Sequence, residues 1–242
     1  MNRDEYGRMY AVEDVHWWYR GLRKLVWQFW DAAPDKPEGP LLDIGCGTGG
    51  TLAGAPRAGI GIDLSPEALR LCRERGQTVL VRADASALPF RDASFAGTLV
   101  LDVLYHRAVA DPAAVLREAK RVLKPGGVMI VNAPAYDWLR SSHDTAIHTA
   151  RRFTRPRLAS LAGMVGVNVE RISYWNTFLF PLAAATRLLR KSLHRETSDL
   201  VGYRATPFTR MAESVLILER RILTSLNLPF GLSILATIRR HD

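Results

Sequence analysis

Only two cysteines, Cys46 and Cys72, occur in 242 residues, too few for the disulfide framework of a small secreted domain, so a reducing compartment is expected. No apolar run approaches the ~20 residues that a membrane-spanning helix needs. The opening Met-Asn-Arg-Asp-Glu-Tyr lacks the charged-then-apolar pattern of a signal peptide. These absences predict a cytoplasmic chain that is not threaded through a bilayer. Acid is scarce in one region: residues 1–140 hold 18 Lys/Arg against 17 Asp/Glu, whereas residues 141–242 hold 15 against 7. The last hundred residues therefore carry nearly all of the net charge of +9. Such a bias suits an anionic substrate, a lipid surface or nucleic acid, and equally a plain solvated face. Apolar residues make up 48% of the chain, enough for one domain with a substantial core and some additions.

Residues 40–50, Pro-Leu-Leu-Asp-Ile-Gly-Cys-Gly-Thr-Gly-Gly, are the most informative stretch. Leu41, Leu42 and Ile44 suit a short buried strand, and Gly45, Gly47, Gly49 and Gly50 remove side chains where the chain must turn. Glycine adopts left-handed torsions without steric cost and lets backbone N–H and C=O groups touch a ligand. A helix starting after Gly49 would add its free N–H groups. Two templates fit. Gly45-x-Gly47-x-x-Gly50, with Asp63 downstream, satisfies the dinucleotide fingerprint. Asp43-x-Gly45-x-Gly47-x-Gly49 satisfies the pattern of S-adenosylmethionine binders, and here the chain resembles the class I S-adenosylmethionine-dependent methyltransferases. A bare strand-to-helix turn is the third reading.

Later segments add to that resemblance. Gly59-Ile60-Gly61-Ile62-Asp63-Leu64 reads as a second strand, and Ser65-Pro66-Glu67 opens a helix with a cap and proline at its first position. A carboxylate at that strand tip can accept from vicinal ribose hydroxyls. Thr78–Arg82 reads as a third strand, followed by Asp84. The resemblance implies that Asp84 reads the adenine amino group, with Leu64 and Ala85 beside the ring. Gly97–Asp102 reads as a fourth strand whose end, Leu101 and Asp102, would line the sulfonium together with His106. Asp111–Leu123 has the pattern of an amphipathic helix, Lys124–Gly127 that of a turn, and Val128–Asn132 that of a fifth strand. Arg117-Glu118-x-x-Arg121-Val122-Leu123-Lys124-Pro125-Gly126-Gly127 also resembles the family's run before this strand. Four ordered motifs over residues 40–133 are specific together where each is weak alone.

The resemblance implies an α/β fold: a seven-stranded Rossmann-like sheet with N-terminal helices and a helical insertion before an antiparallel last strand. The expected divisions are an N-terminal helical cap over 1–36, an S-adenosylmethionine-binding core over 37–176, an insertion or lid over 177–229, and the final strand of the core in 230–242. Residues 2–33 read as helical, with Trp18, Leu22, Leu25 and Phe29 as a packing stripe. In the family resembled, such a helix closes over the cofactor, which makes Tyr19 and Arg23 candidates for its carboxylate end. The cofactor set is thus Asp43, Gly45, Cys46, Gly47, Gly49, Asp63, Leu64, Asp84, Ala85, Leu101, Asp102, His106, Tyr19 and Arg23.

Residues 134–153 should leave the sheet at its ligand-binding face and are rich in polar and reactive groups. His143 is the first choice for a general base, then His106 and His148, because histidine titrates near neutrality. Asp102-x-x-Tyr105-His106 resembles the run of magnesium-binding quinone-pathway O-methyltransferases. Tyr105, however, stands where a second carboxylate is wanted, so no metal is expected. Thr154–Val165 reads as a helix, Asn168–Tyr174 as a sixth strand and Leu232–Ile238 as the last. Some 50 residues intervene, too many for a hairpin, with a second amphipathic helix over Phe208–Leu226. They suit a helical subdomain, a homodimer face, or a lid over a hydrophobic acceptor that touches the inner membrane face through 177–191. The implied chemistry is in-line methyl transfer to a small-molecule or lipid-linked acceptor. A non-methylating cofactor-binding catalyst stays open as an alternative. A nucleic-acid methyltransferase is disfavoured because no Asn-Pro-Pro-Tyr-type motif follows the fourth strand.

Overall fold

The structure is a computed structural model, and it describes residues 3–192 and 206–241. Two helices come first, α1 (Arg3–Val12) and α2 (Trp17–Ala32), followed by β1 (Leu41–Ile44), β2 (Gly59–Asp63), α3 (Pro66–Glu74), β3 (Leu80–Arg82) and β4 (Phe95–Leu101). After these come α4 (Pro112–Val122), β5 (Leu123–Pro134), α5 (Ser142–Ala146), α6 (Arg155–Val165) and β6 (Asn168–Trp175). The chain then runs through α7 (Phe180–Ser192), α8 (Pro207–Ile222) and β7 (Ser233–Arg239). Among the described residues no helix is long and apolar enough to cross a membrane.

The seven strands form one sheet in the order β3-β2-β1-β4-β5-β7-β6. Strand β7 runs antiparallel to both β5 and β6, and the other pairings are parallel. Strand order reverses between β1 and β4, and in open α/β sheets the crevice at that point, beyond the carboxyl ends, is where ligands bind. One face is covered by α2, whose Leu22, Leu25, Val26, Phe29 and Trp30 pack on Leu41, Leu99, Val128, Ile130 and Leu235. Each such side chain contributes roughly 1.5–3 kcal/mol when fully buried. A Cβ at Gly97 would overlap the Trp30 ring, so glycine lets the helix settle against β4. Helices α4 and α6 cover the opposite face.

Several elements differ from the sequence reading. The expected single helix over 2–33 is two, because His16 caps α2 by accepting the Trp18 N–H at 3.2 Å. No α-helix follows the glycine loop. A 3-10 turn over Leu52–Gly54 stands there, and Pro56 just after it favours leaving the helical path toward β2. The expected Lys124–Gly127 turn belongs to β5, because Gly126 N–H donates to Arg240 O at 2.8 Å and Arg240 N–H to Gly127 O at 3.0 Å. Helix α8 is shorter than Phe208–Leu226 and begins at a capping box between Thr206 and Thr209. It is fixed by Glu219, a buried carboxylate that accepts the backbone N–H of Asn176, of Thr177 at 2.8 Å and of Phe178 at 3.2 Å.

Candidate functional site

The glycine loop turns as its composition requires. Gly45, Gly47 and Gly49 have φ of 75°, 54° and 83°, where any other residue is strained. A Cβ at Gly45 would overlap Val103. Gly45 and Cys46 both donate their N–H to Ile62 O at 2.8 Å, which binds the loop to β2. The Cys46 side chain does not face the crevice. It is buried with Leu52, Leu69 and Cys72 beneath the loop, so any ligand contact at Cys46 would have to come from its backbone.

Carboxylates gather above this loop. Asp43, at the β1 tip, is 2% exposed. Burial, with the charges of Asp63 and Glu13 adding, pushes its pKa up to about 7. Asp63 accepts the Gly47 N–H at 3.1 Å on one oxygen and the Ser65 N–H at 2.8 Å on the other. The Leu64 N–H also bonds it, and since an ionised carboxylate has about four lone-pair sites, acceptor capacity remains for a ribose hydroxyl. Asp102 sits at the β4 tip with φ of 57° and accepts Asn132 Nδ2–H at 2.9 Å. Burial pushes its pKa up to about 7 against the pull of Asn132 and Arg152. Asn132 Oδ1 in turn accepts the Trp175 indole N–H at 2.8 Å. Asp84 stands apart on the exposed loop after β3, where one carboxylate oxygen accepts both N–H and Oγ–H of Ser86 at 2.8 and 2.7 Å. Leu64, just past β2, is half-exposed, and Ala85, next to Asp84 in the chain, is partly buried.

Helix α1 lies across the loop, and this the sequence did not disclose. Met9 Cε is 3.0 Å from where a Gly47 Cβ would stand, and a Cβ on Gly50 would collide with Glu13. Glu13 accepts the Thr48 hydroxyl and pairs with Arg75 at 3.2 Å and Arg23 at 3.8 Å. Burial pushes its pKa up to about 7 although both arginines pull it down. Tyr6 is also held here: burial and then the charge of Asp63 raise its pKa to about 12, and it hydrogen-bonds Ser65. Arg23 additionally pairs with Asp14 at 3.2 Å, so two acids of its own chain engage it. Burial, with the charges of Glu13 and Asp102 adding, raises the Tyr19 pKa. No local motif marked Tyr6, Met9 or Glu13, because their role comes from docking a separate helix.

The three histidines divide. His106 and His148 lie together, ring centroids 5.7 Å apart, and His106 Nδ1 accepts the Ala108 N–H at 3.0 Å. Burial, then the charges of His148 and Arg107, brings His106 down to a pKa of about 4, which leaves it neutral at neutral pH but a weak base. His148 is lowered for similar reasons. His143 falls in α5, and its side chain lies outside the described residues. Among the described residues no three His, Cys, Asp or Glu converge as a metal site would require.

A ring cluster that only the fold assembles lies farther along the carboxyl edge. Tyr136 stacks on Tyr174 at 5.3 Å and on Trp138 at 6.0 Å, and Phe180 meets Tyr136, Trp138 and Phe230 at 5.9, 6.0 and 5.5 Å. Trp138 and Phe230 remain 50% and 42% exposed, so the cluster has an open side.

The raised carboxyls fix the sign of a pH effect. An acid whose pKa is higher folded than unfolded binds more protons in the fold between the two values, so stability falls as pH rises through that window. With Asp43, Asp102 and Glu13 all near 7, apo melting temperature is expected to drop between pH 5 and 8 and to level off above. Melts in that range check it; a rising or flat curve would show that these acids are not buried as described. A bound cation should flatten the slope by favouring the ionised forms.

Residues 42–131 match a family model described as "Methyltransferase domain". The malonyl-[acyl-carrier protein] O-methyltransferase of Dechloromonas aromatica is 33% identical over 169 residues, 62% of this chain and 60% of that protein. The phthiotriol/phenolphthiotriol dimycocerosates methyltransferase of Mycobacterium leprae is 35% identical over 111 residues, 43% of this chain and 38% of that protein. The chain thus spans less than two thirds of these curated relatives. A solved SAM-dependent methyltransferase of Thermotoga maritima superposes with a TM-score of 0.62 at 20% identity, covering 98% of this chain and 95% of that one, a likeness of fold. The glycine loop and the acidic strand tips thus fall on a stretch, residues 42–131, that is similar to methyltransferase domains, within a sheet order and fold like those of solved S-adenosylmethionine-dependent methyltransferases.

Proposed function

We propose that this chain transfers the methyl group of S-adenosylmethionine by in-line displacement to a small-molecule or lipid-linked acceptor. The observation that carries the reading is the convergence, at the strand-order reversal, of a left-handed glycine loop with buried Asp43 and the partly buried Asp63 and Asp102. The residues fit the cofactor. A sulfonium and an ammonium are cations, and these acids are held in low-dielectric surroundings where a cation would favour their ionised forms. Asp63 would take the ribose hydroxyls, Asp84 with Leu64 and Ala85 the adenine, and Asp43 and Asp102 would face the methionine portion. Leu101, at the end of β4, would line that portion. Gly45, Gly47 and Gly49 let backbone approach, while α1 and α2, through Tyr6, Met9, Glu13, Tyr19 and Arg23, would exclude water.

The sulfonium methyl is already electrophilic, so the chain's task is alignment and exclusion of water. A strong base is not required, in keeping with the weak basicity of His106. For acceptors that must lose a proton, His143 remains the first candidate, with His148 beside His106 as the alternative. The acceptor would lie against Tyr136, Trp138, Tyr174, Phe180 and Phe230, whose faces suit an apolar or planar group. A lipid acceptor is favoured by α8, where Phe208, Met211 and Leu218 lie 48%, 50% and 53% exposed in one stripe beside Arg210 and Arg221.

The test supplies methyl-labelled S-adenosylmethionine with either a soluble metabolite extract or anionic vesicles of a total lipid extract. Label is expected in one of the two fractions, and which one names the acceptor class. Trp138→Ala should raise the acceptor KM by about tenfold, the scale of one lost aromatic contact, with cofactor affinity unchanged. Cofactor bound tightly with label in neither fraction would favour the non-methylating alternative; label in added RNA or DNA would favour a nucleic-acid substrate.

A further inference from the structure

A second concave site lies on the helical flank of the sheet, away from the carboxylates. It is a cavity of about 280 Å³ lined by Ala110 and Pro112 at the start of α4, by Arg151 and Phe153, and by Arg157, Ser160, Leu161 and Met164 along α6. Its volume is just below the roughly 300–1,000 Å³ of drug-sized ligand pockets. Five of the eight lining residues are apolar. The polar ones are two guanidiniums and a hydroxyl, with no Asp or Glu in the wall.

Arg151 decides the chemistry. Its Nη1 donates to Leu104 O at 3.2 Å and Val109 O at 2.7 Å, so the group is ordered by neutral carbonyls, and among the described residues no carboxylate pairs with it. A guanidinium has five N–H donors and stays charged. Arg157 donates to Arg152 O at 2.8 Å, stacks on the Phe153 ring at 5.3 Å, and shares exposed Asp137 at 3.3 Å. Asp137 is itself divided, since Arg140 also engages it at 2.8 Å. The other nearby acid, Asp111, is committed to the Ala113 N–H and to Arg117 at 2.8 and 2.7 Å. The cavity thus joins under-compensated positive charge to an apolar wall.

We infer that this cavity binds a small amphiphilic anion, a carboxylate or phosphate monoester on an aliphatic stem, with the anion on Arg151, Arg157 and Ser160 and the stem against Pro112, Leu161 and Met164. The site is independent of methyl transfer and takes its ligand whatever occupies the glycine loop. Calorimetric titration of the full chain with octyl phosphate, octanoate, octyl glucoside and inorganic phosphate tests it. At least one octyl anion should bind with one-to-one stoichiometry, and the stronger of the two tells phosphate from carboxylate. The neutral glucoside should not bind, and inorganic phosphate should bind at least tenfold more weakly than its octyl ester. Arg157→Gln should weaken the anion about tenfold or more, the scale of one charge-assisted hydrogen bond. Ser160→Asp, at an exposed helical position that leaves the core untouched, should abolish binding while S-adenosylmethionine affinity and melting temperature hold. Failure of both octyl anions to bind, equal binding of the glucoside or of bare phosphate, or affinities unmoved by both substitutions would overturn the assignment.

Discussion

Asp43→Asn is expected to cut affinity for S-adenosylmethionine by roughly 30-fold or more while the chain stays folded, because removing one partner of a buried charge interaction costs about 2–5 kcal/mol. Asparagine keeps the shape of the side chain and removes an acid whose ionised form burial disfavours, so the apo protein should melt no lower, and somewhat higher above pH 7. The loss should be greater for S-adenosylmethionine than for S-adenosylhomocysteine, which lacks the sulfonium charge. Calorimetry with both compounds at pH 8, beside an apo melt, decides. Affinity within threefold of wild type in a folded variant would remove Asp43 from the cofactor site.

Arg152→Met is expected to be the most destabilising single change outside the glycine loop. Arg152 and Asp144 are 4% and 5% exposed and meet in a two-pronged pair, Nε to Oδ1 at 3.0 Å and Nη2 to Oδ2 at 2.9 Å. The third guanidinium nitrogen donates to Ala135 O at 3.0 Å. Burial would raise the Asp144 pKa, but the arginine holds it below the usual carboxylate range. Breaking such a pair from one side costs about 3–5 kcal/mol because the surviving charge stays buried. For a chain of this size that lowers the melting temperature by roughly 6–20 °C. Combining it with Asp144→Leu should recover most of the loss. A single variant that melts within two degrees of wild type would mean the pair is solvated.

What the sequence discloses and what it hides divide along one physical line. The glycine loop, Asp63 at its strand tip and the Ser65 cap of α3 were legible because each depends on backbone torsions or hydrogen bonds within a few residues. Tyr6, Met9 and Glu13 were not, since their positions come from docking α1 on a loop about forty residues away. Cys46 was read as a cofactor neighbour because it sits among the glycines, yet its side chain turns into the core. The ring cluster was half visible: Tyr136 lies in the polar stretch that drew attention, whereas Phe180 and Phe230 reach it only through long-range packing. The Lys124–Gly127 segment looked like a turn because Pro-Gly-Gly breaks regular structure, and only the distant Arg240 makes it a strand.

The placing of β7 between β5 and β6 has a bearing on synthesis. Among the described residues β6 has no neighbour in the sheet other than β7, and its ladder partners, Ser233–Arg239, leave the ribosome only after α7 and α8. While α7 and α8 are being translated, β6 therefore holds unmet backbone donors and acceptors, and β5 an open flank. The emerging chain must wait for β7 before either edge can be closed.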